Sequence, residues 1–358
     1  MHDSNSSDID LSIKSKKDVA RKFDKKWILL ILSVLLIATF AISFTLGRYA
    51  IPLSQLFEIL FSKLFGFQAT WDATIDTVLF KVRLPRLLAA ILIGAALSLS
   101  GATYQGLFKN PMVSADILGA SAGAGFGAAI AMLLSFDAVG IQLMSFAFGL
   151  GAVAITTVVS TIVGRGNDST LLLVLTGMVV TSLFSSAIAL IKYVADPDLK
   201  LREITFWLMG GLSAIRMNDL KIILIPMILG AVPLLLLRWR LNVLSFGDEE
   251  AQAMGIDTSR LRLITIICST LLTASTVSIG GIIGWVGLVI PHLARMLVGP
   301  NYSILLPTSL LVGGLYLLIV DNVARCMFAM EIPLGILTSV IGAPFFIYLL
   351  MHGKRGWV

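Results

Sequence analysis

The chain is poor in charge. Of its 358 residues only 13% are Asp, Glu, Lys or Arg, against 57% hydrophobic, and the mean hydropathy is +0.93. Soluble domains carry about a quarter charged residues, and a core of this size could not hide so much apolar surface. A soluble enzyme is excluded, and so are disordered and collagen-like chains. Cysteine is scarce as well. Cys268 and Cys326 lie in or beside apolar runs, which excludes a disulfide scaffold and a Cys-built zinc site. The three histidines (His2, His292, His352) are far apart, and no second His or acid stands at ligand spacing from His292. No metal site is expected. There is no GxxxxGK[ST] loop and no HExxH, so ATP is not bound through that loop and no membrane zinc hydrolase is indicated. No catalytic residue is assigned.

What the chain has instead is a series of apolar runs long enough to cross a bilayer. They fall near 27–46, 86–107, 118–135, 141–163, 170–191, 220–237, 263–282, 285–298, 304–324 and 334–351. The expected fold is all-α, a polytopic membrane protein with about ten transmembrane helices. The eighth run is short and contains Pro291, so it is expected to be broken, tilted or partly buried in protein. Residues 1–26 form a polar arm with Lys14, Lys16, Lys17, Arg21, Lys22, Lys25 and Lys26. Beside a run too long for a signal peptide, this arm reads as a cytoplasmic anchor. The net charge of +6 is therefore assigned to the membrane, not to nucleic acid. Ten spans return the 353–358 tail, with Lys354 and Arg355, to the cytoplasm. More of the 27 Lys and Arg then lie inside than outside, as the positive-inside rule asks.

On this topology Arg83, Arg86, Lys200, Arg202 and Arg325 fall on the outer side. Bases there either anchor to lipid headgroups or dock an acidic partner, and charge alone does not choose. Asp321 and Arg325 stand four apart and can pair along one helix. Otherwise the span interiors are almost free of charge, which argues against an ion-driven secondary transporter. Glycines cluster at Gly119–Gly127 and Gly280–Gly284, where four-residue spacing suits close helix packing; a hinge role is the lesser reading. The second and seventh runs resemble each other and end in SLSGA and VSIGG. Since they run in opposite directions, an inverted duplication is suggested. Between runs six and seven, residues 238–262 carry an acidic stretch. Ser245 is placed to cap a short helix there, Asp248 to Glu250 to complement its positive end, and Gly255 to stop it.

Several motifs together resemble the FecCD family, the permease subunits of ABC importers for ferric siderophores, haem, vitamin B12 and related metal chelates. They are Arg83-Leu-Pro-Arg86; Ile93 to Gly101 with Gln105; Asn110-Pro111; Leu118 to Gly123; Thr205 to Leu212; Gly284 to His292 with Arg295; and Glu331 to Gly335 with Gly342-Ala-Pro344. The likeness runs in order from about residue 27 to 352, outside the N-terminal arm. It implies the inverted-repeat architecture of type II ABC importer permeases, with one permease domain over 27–352, working as a homodimer. Two separate ATPases below would hold the ATP and Mg, leaving no cofactor in this chain. A periplasmic or lipid-anchored binding protein would dock above, in the cytoplasmic membrane of the host.

By the same resemblance Asp248, Glu249, Glu250, Ala251, Gln252, Ala253, Met254 and Gly255 form the ATPase coupling helix. Arg83, Arg86 and Arg325 face the binding protein, while Lys200 and Arg202 keep the anchoring reading. The substrate path is lined by about 171–191 and 334–351, with Thr176, Thr181, Ser182, Ser185 and Ser186 as its polar points. The expected cargo is an iron chelate, a ferric siderophore; vitamin B12, haem, zinc or molybdate are alternatives within the class. An ion-driven carrier and a membrane protein without substrate are the readings outside it.

Overall fold

The computed structural model describes residues 26–47, 49, 51–65, 72–164, 169–327 and 330–352. The basic arm before Lys26 and the 353–358 tail lie outside the described residues. Among the described residues, seven helices are long and apolar enough to span a membrane: α1 (Lys26–Ser43), α3 (Thr74–Leu107), α5 (Ala138–Gly164), α6 (Ser169–Val194), α8 (Met217–Leu236), α11 (Thr258–Gly280) and α13 (Tyr302–Cys326). Three shorter apolar helices complete the expected set: α4 (Ala120–Leu133), α12 (Val286–Val298) and α14 (Leu334–His352). Each expected run coincides with one of these ten. Four helices fall outside the spans: α2 (Leu53–Phe65), α7 (Lys200–Leu208), α9 (Arg238–Leu244) and α10 (Asp248–Ala253).

Burial sorts the spans. α3 and α11 are 83% and 78% buried over their most apolar windows, against 11% for α1 and 17% for α6. The first two make the centre, and the others present apolar side chains such as Ile37, Ile162 and Val179 outward. Chain direction gives the bundle two ends. α3 starts, and α13 finishes, at the end carrying Arg86 and Arg325. The 238–257 segment sits at the other, where Lys109 meets Asp248 and Asn242 meets Asn301.

Glycine sets the distances at the centre. A Cβ at Gly94 would stand 2.2 Å from the Gly313 carbonyl oxygen, and one at Gly101 only 1.8 Å from that of Gly287. α3 therefore touches α13 and α12 backbone to backbone. Gly123 and Gly127 do the same against α5, at the Phe148 and Met144 carbonyls. At these positions the packing reading holds.

α3 and α11 run antiparallel, joined by Ser100 to Thr273 (3.1 Å) and Tyr104 to Thr270 (3.3 Å). Each is followed by a non-helical link and then a short helix whose cap residue is left-handed, Gly119 (φ 84°) before α4 and Trp285 (φ 69°) before α12. This shared sequence of elements agrees with the inverted-repeat expectation. Two local details emerge. The eighth run is a helix partly buried in protein, one of the expected alternatives, and it runs unbroken through Pro291; the non-helical break lies before it, at residues 281–285. Residues 108–117, between the second and third runs, fold back toward the centre, since Ala115 packs on Gly287 beside the Leu97 carbonyl.

A Gly101→Val variant should destabilise the protein by about 3 kcal/mol or more, because the Gly287 backbone cannot yield. Gly151 has open space around it, so Gly151→Ala should be neutral or gain up to about 1 kcal/mol of helix stability. Melting of the detergent-solubilised variants checks both; a Gly101→Val protein as stable as wild type would refute the backbone contact.

Candidate functional site

Three places in this bundle carry the polar chemistry. The first is the arginine end, where a π-helical stretch, Thr77–Arg83, leads into the main body of α3. Arg83, Arg86 and Arg325, expected on the outer side, are all buried in the structure, at 4%, 7% and 7% exposure. Arg83 donates to the Phe44 and Tyr49 carbonyls. Arg86 donates through Nε to Asp321 (2.9 Å) and through Nη1 to Glu331 (2.9 Å). Arg325 Nε lies 3.1 Å from Asp321, the expected i,i+4 pair, though its N–H is not aimed along a hydrogen bond. Its other nitrogens reach Asn322 Oδ1 and the Ser43 and Leu46 carbonyls.

Asp321 has no exposed surface and stands between two guanidiniums. In a medium of low dielectric neither partner could stay charged without the other. Three guanidiniums face two carboxylates, so the cluster keeps one positive charge in excess. Glu331, whose side chain is 39% exposed, is its surface member. Lys200 pairs instead with Glu203 on α7 at 3.5 Å, in line with a local surface role.

The second place is the 238–257 segment. It holds two helices, and Ser245 belongs to the first: its hydroxyl donates to the Asn242 carbonyl (2.6 Å) at the end of α9. The cap of α10 is Gly247, over which the Glu250 carboxylate folds. Gly255 ends the helix at φ 78° as expected, with its N–H on the Gln252 carbonyl (2.9 Å). Asp248 does not face out alone but pairs with Arg262 of α11 and, at 3.5 Å, with Lys109 beyond α3. Ala251 and Ile256 are buried, whereas Glu249, Glu250, Gln252, Ala253, Met254 and Gly255 are exposed beside Phe246. α10 thus combines an acidic face with exposed Met254, next to exposed Phe246.

The third is α6 with α14. Ser182, Ser185 and Ser186 lie on an exposed face among Met178, Val179 and Leu183. Ser182 and Ser186 bond back to their own helix. Thr176 and Thr181 are half-buried, and Thr181 faces the Gly119 turn, so these two stand off that face.

Sequence reasoning passed over Asp116. Its carboxylate accepts the Ser121 N–H at 2.7 Å, near the start of α4, and burial pushes its pKa up. Asp116, Ser114, Ser121, Thr273 and Trp285 share a cavity of about 250 Å³. The turn-rich run from Asn110 to Gly119 was the available signal. Also passed over was Asn242, whose amide bridges α9 to the start of α13.

A family model described as the FecCD transport family matches residues 35–352. The chain is 43% identical to the molybdate import system permease MolB of Haemophilus influenzae over 91% of this chain and 95% of that one. It is 39% identical to an iron chelatin transport system permease of Helicobacter pylori over 79% and 85%. A solved structure described as an inward-facing metal-chelate type ABC transporter superposes with a TM-score of 0.81 at 40% identity, over 91% of this chain and 99% of that one.

Asp321→Asn should destabilise the protein by about 3–5 kcal/mol, because two buried guanidiniums lose their counter-charge. Glu331→Gln, at a half-exposed pair, should cost no more than about 1 kcal/mol. Equal melting losses for the two would contradict the central place given to Asp321.

Proposed function

The chain belongs to the FecCD transport family, as the permease of an ABC importer whose ATP is hydrolysed by partner ATPases, and on that premise we propose that its cargo is an iron chelate of the ferric-siderophore type. The observation that carries the cargo class is the outward face of α6 and α14. Over α6 the one charge is Lys192 near its end, and over α14 there is none before His352. A bare oxyanion meeting such a lining would give up hydration without replacement. A chelate that wraps its metal in its own groups would not, and scattered Ser hydroxyls let it pass without being held. Molybdate is the second reading, favoured by the Haemophilus relative; vitamin B12 and haem share the first argument.

In this proposal two copies pair through the faces of α6 and α14, with the path between them. The membrane is the cytoplasmic one, with both termini inside, the arginine end outside and the 238–257 end inside. Two ATP-binding subunits, carrying ATP and Mg, cover α10 together with Phe246 and Met254. A binding protein docks over the arginine cluster, where the excess positive charge attracts carboxylates and Glu331 is the displaceable partner of Arg86. ATP-driven closure of the ATPases moves α10, and the bundle alternates between outward-open and inward-open states.

Uptake of ⁵⁵Fe-loaded hydroxamate and of ⁹⁹Mo-molybdate into cells expressing the importer tests the cargo. Chelate uptake that needs ATP and is not competed by molybdate is expected; ATP-dependent molybdate uptake alone would transfer the assignment to the second reading. Glu249→Lys, on the exposed side of α10, should lower uptake at unchanged expression, whereas full uptake would remove α10 from the ATPase contact.

A further inference from the structure

The 238–257 segment is covalently continuous with α8 and α11, yet its most elaborate polar contacts lead elsewhere. Asn242 Nδ2 donates to Asn301 Oδ1 (3.0 Å) and Ser303 Oγ (3.2 Å), and its Oδ1 accepts the Tyr302 N–H at 2.7 Å. Arg238 adds a bond to the Ser303 carbonyl (3.2 Å). Asn301 itself caps α13, taking the Ser303 N–H (2.9 Å). Two of the four amides that a helix start leaves without intrahelical partners are thereby bound, one by α13's own cap and one by the neighbouring segment. α9 is in effect bonded to the first turn of α13.

What α13 does at its other end gives this joint its meaning. The helix has 25 residues, a length of about 37 Å at 1.5 Å per residue. It is fastened to α3 at three heights. Near the 238–257 end, Gly106 lies so close to Tyr302 that a Cβ would stand 2.6 Å from the phenol oxygen. In the middle the Gly94 and Gly313 backbones touch. At the arginine end Arg86 is paired with buried Asp321. α3 reaches the same segment through Lys109 and Asp248. The two helices form a strut from one face of the bundle to the other, and tight packing transmits a displacement along it instead of absorbing it.

We infer that Asn242 is a positioning residue, the joint through which the ATPase-contacting segment moves the α3–α13 strut and so resets the arginine cluster at the opposite face. The inference rests on the importer reading above, for it takes α10 as the place where the ATPase pushes. It adds a route that neither the family match nor the coupling helix supplies. The joint makes no contact with α10's exposed side, so losing it should leave ATPase attachment intact and cut the message to the far end.

Cys326, exposed at the last residue of α13, is a built-in reporter. The experiment takes the complex of this chain with its copurifying ATP-binding subunit in vesicles, in a Cys268→Ala background. It measures labelling of Cys326 by a membrane-impermeant maleimide, with and without trapping by ATP and vanadate. The wild-type rate is expected to change on trapping. In Asn242→Ala that change should be lost, while ATPase copurification and vanadate trapping persist. Asn242→Asp keeps the acceptor for the Tyr302 N–H and loses both donated bonds, so it should lose the change too, and it serves if the alanine variant assembles poorly. A variant that keeps the wild-type change, or a wild type that shows none, overturns the joint. A chain that draws down no ATP-binding subunit overturns the importer reading first, and the inference with it.

Discussion

In a bilayer helices gain nothing from hiding apolar side chains from one another, because lipid tails are as apolar as leucine. Association has to come from close packing and a few polar bonds. The missing Cβ atoms at Gly94, Gly101 and Gly313 let α3 lie against α12 and α13 with backbones in contact, and the rest of the arrangement depends on that. With α3 so placed, Arg86 comes within reach of Asp321, Gln105 reaches the Leu288 carbonyl at 3.1 Å and Arg295 reaches Gln105 at 3.0 Å. A wider spacing would leave each of these groups buried and unpaired, at a cost of several kcal/mol for a charge.

The same proximity explains why the arginines are inside. A guanidinium at the start of a span has two outlets, water above or carbonyls and carboxylates below. Arg83 finds the carbonyls of Phe44 and Tyr49, in the segment that follows the end of α1. Arg325 finds Ser43, Leu46 and Asn322 there as well. These bonds tie peripheral α1 to the central pair. Every one of these guanidiniums is thus already engaged within the chain, and the half-exposed Glu331 is the member of the cluster nearest the surface.

Ten spans were legible because apolar length is a local property; each expected run coincides with a helix to within a few residues, apart from the added first turns of α3. The acidic helix and its glycine stop were legible for the same reason, as Asp248 to Glu250 and Gly255 signal through their own neighbours. Two of the three losses involve distant partners, and the third a choice between near neighbours. Nothing near Arg86 announces Asp321, 235 residues away, so a buried pair was read as a surface charge. Ser245 has the chemistry of a cap, yet its hydroxyl serves the Asn242 carbonyl, since Gly247 occupies the cap position of α10. Asp116 lies in a segment too short to span, and only the contact of Ala115 with Gly287 shows that the segment turns back.

The distribution of polar groups also bears on how one fold serves relatives whose names range from molybdate to iron chelatin. Here the specific, geometrically demanding bonds are concentrated at the two ends of the α3–α13 pair, and the exposed faces of α6 and α14 carry hydroxyls that bond largely to their own helices. Faces of that kind offer few free donors or acceptors, because their hydroxyls are already satisfied within their own helices. The bonds that fix one element against another are made instead at the ends of the pair, by Arg86 on Asp321 and by Asn242 on Asn301.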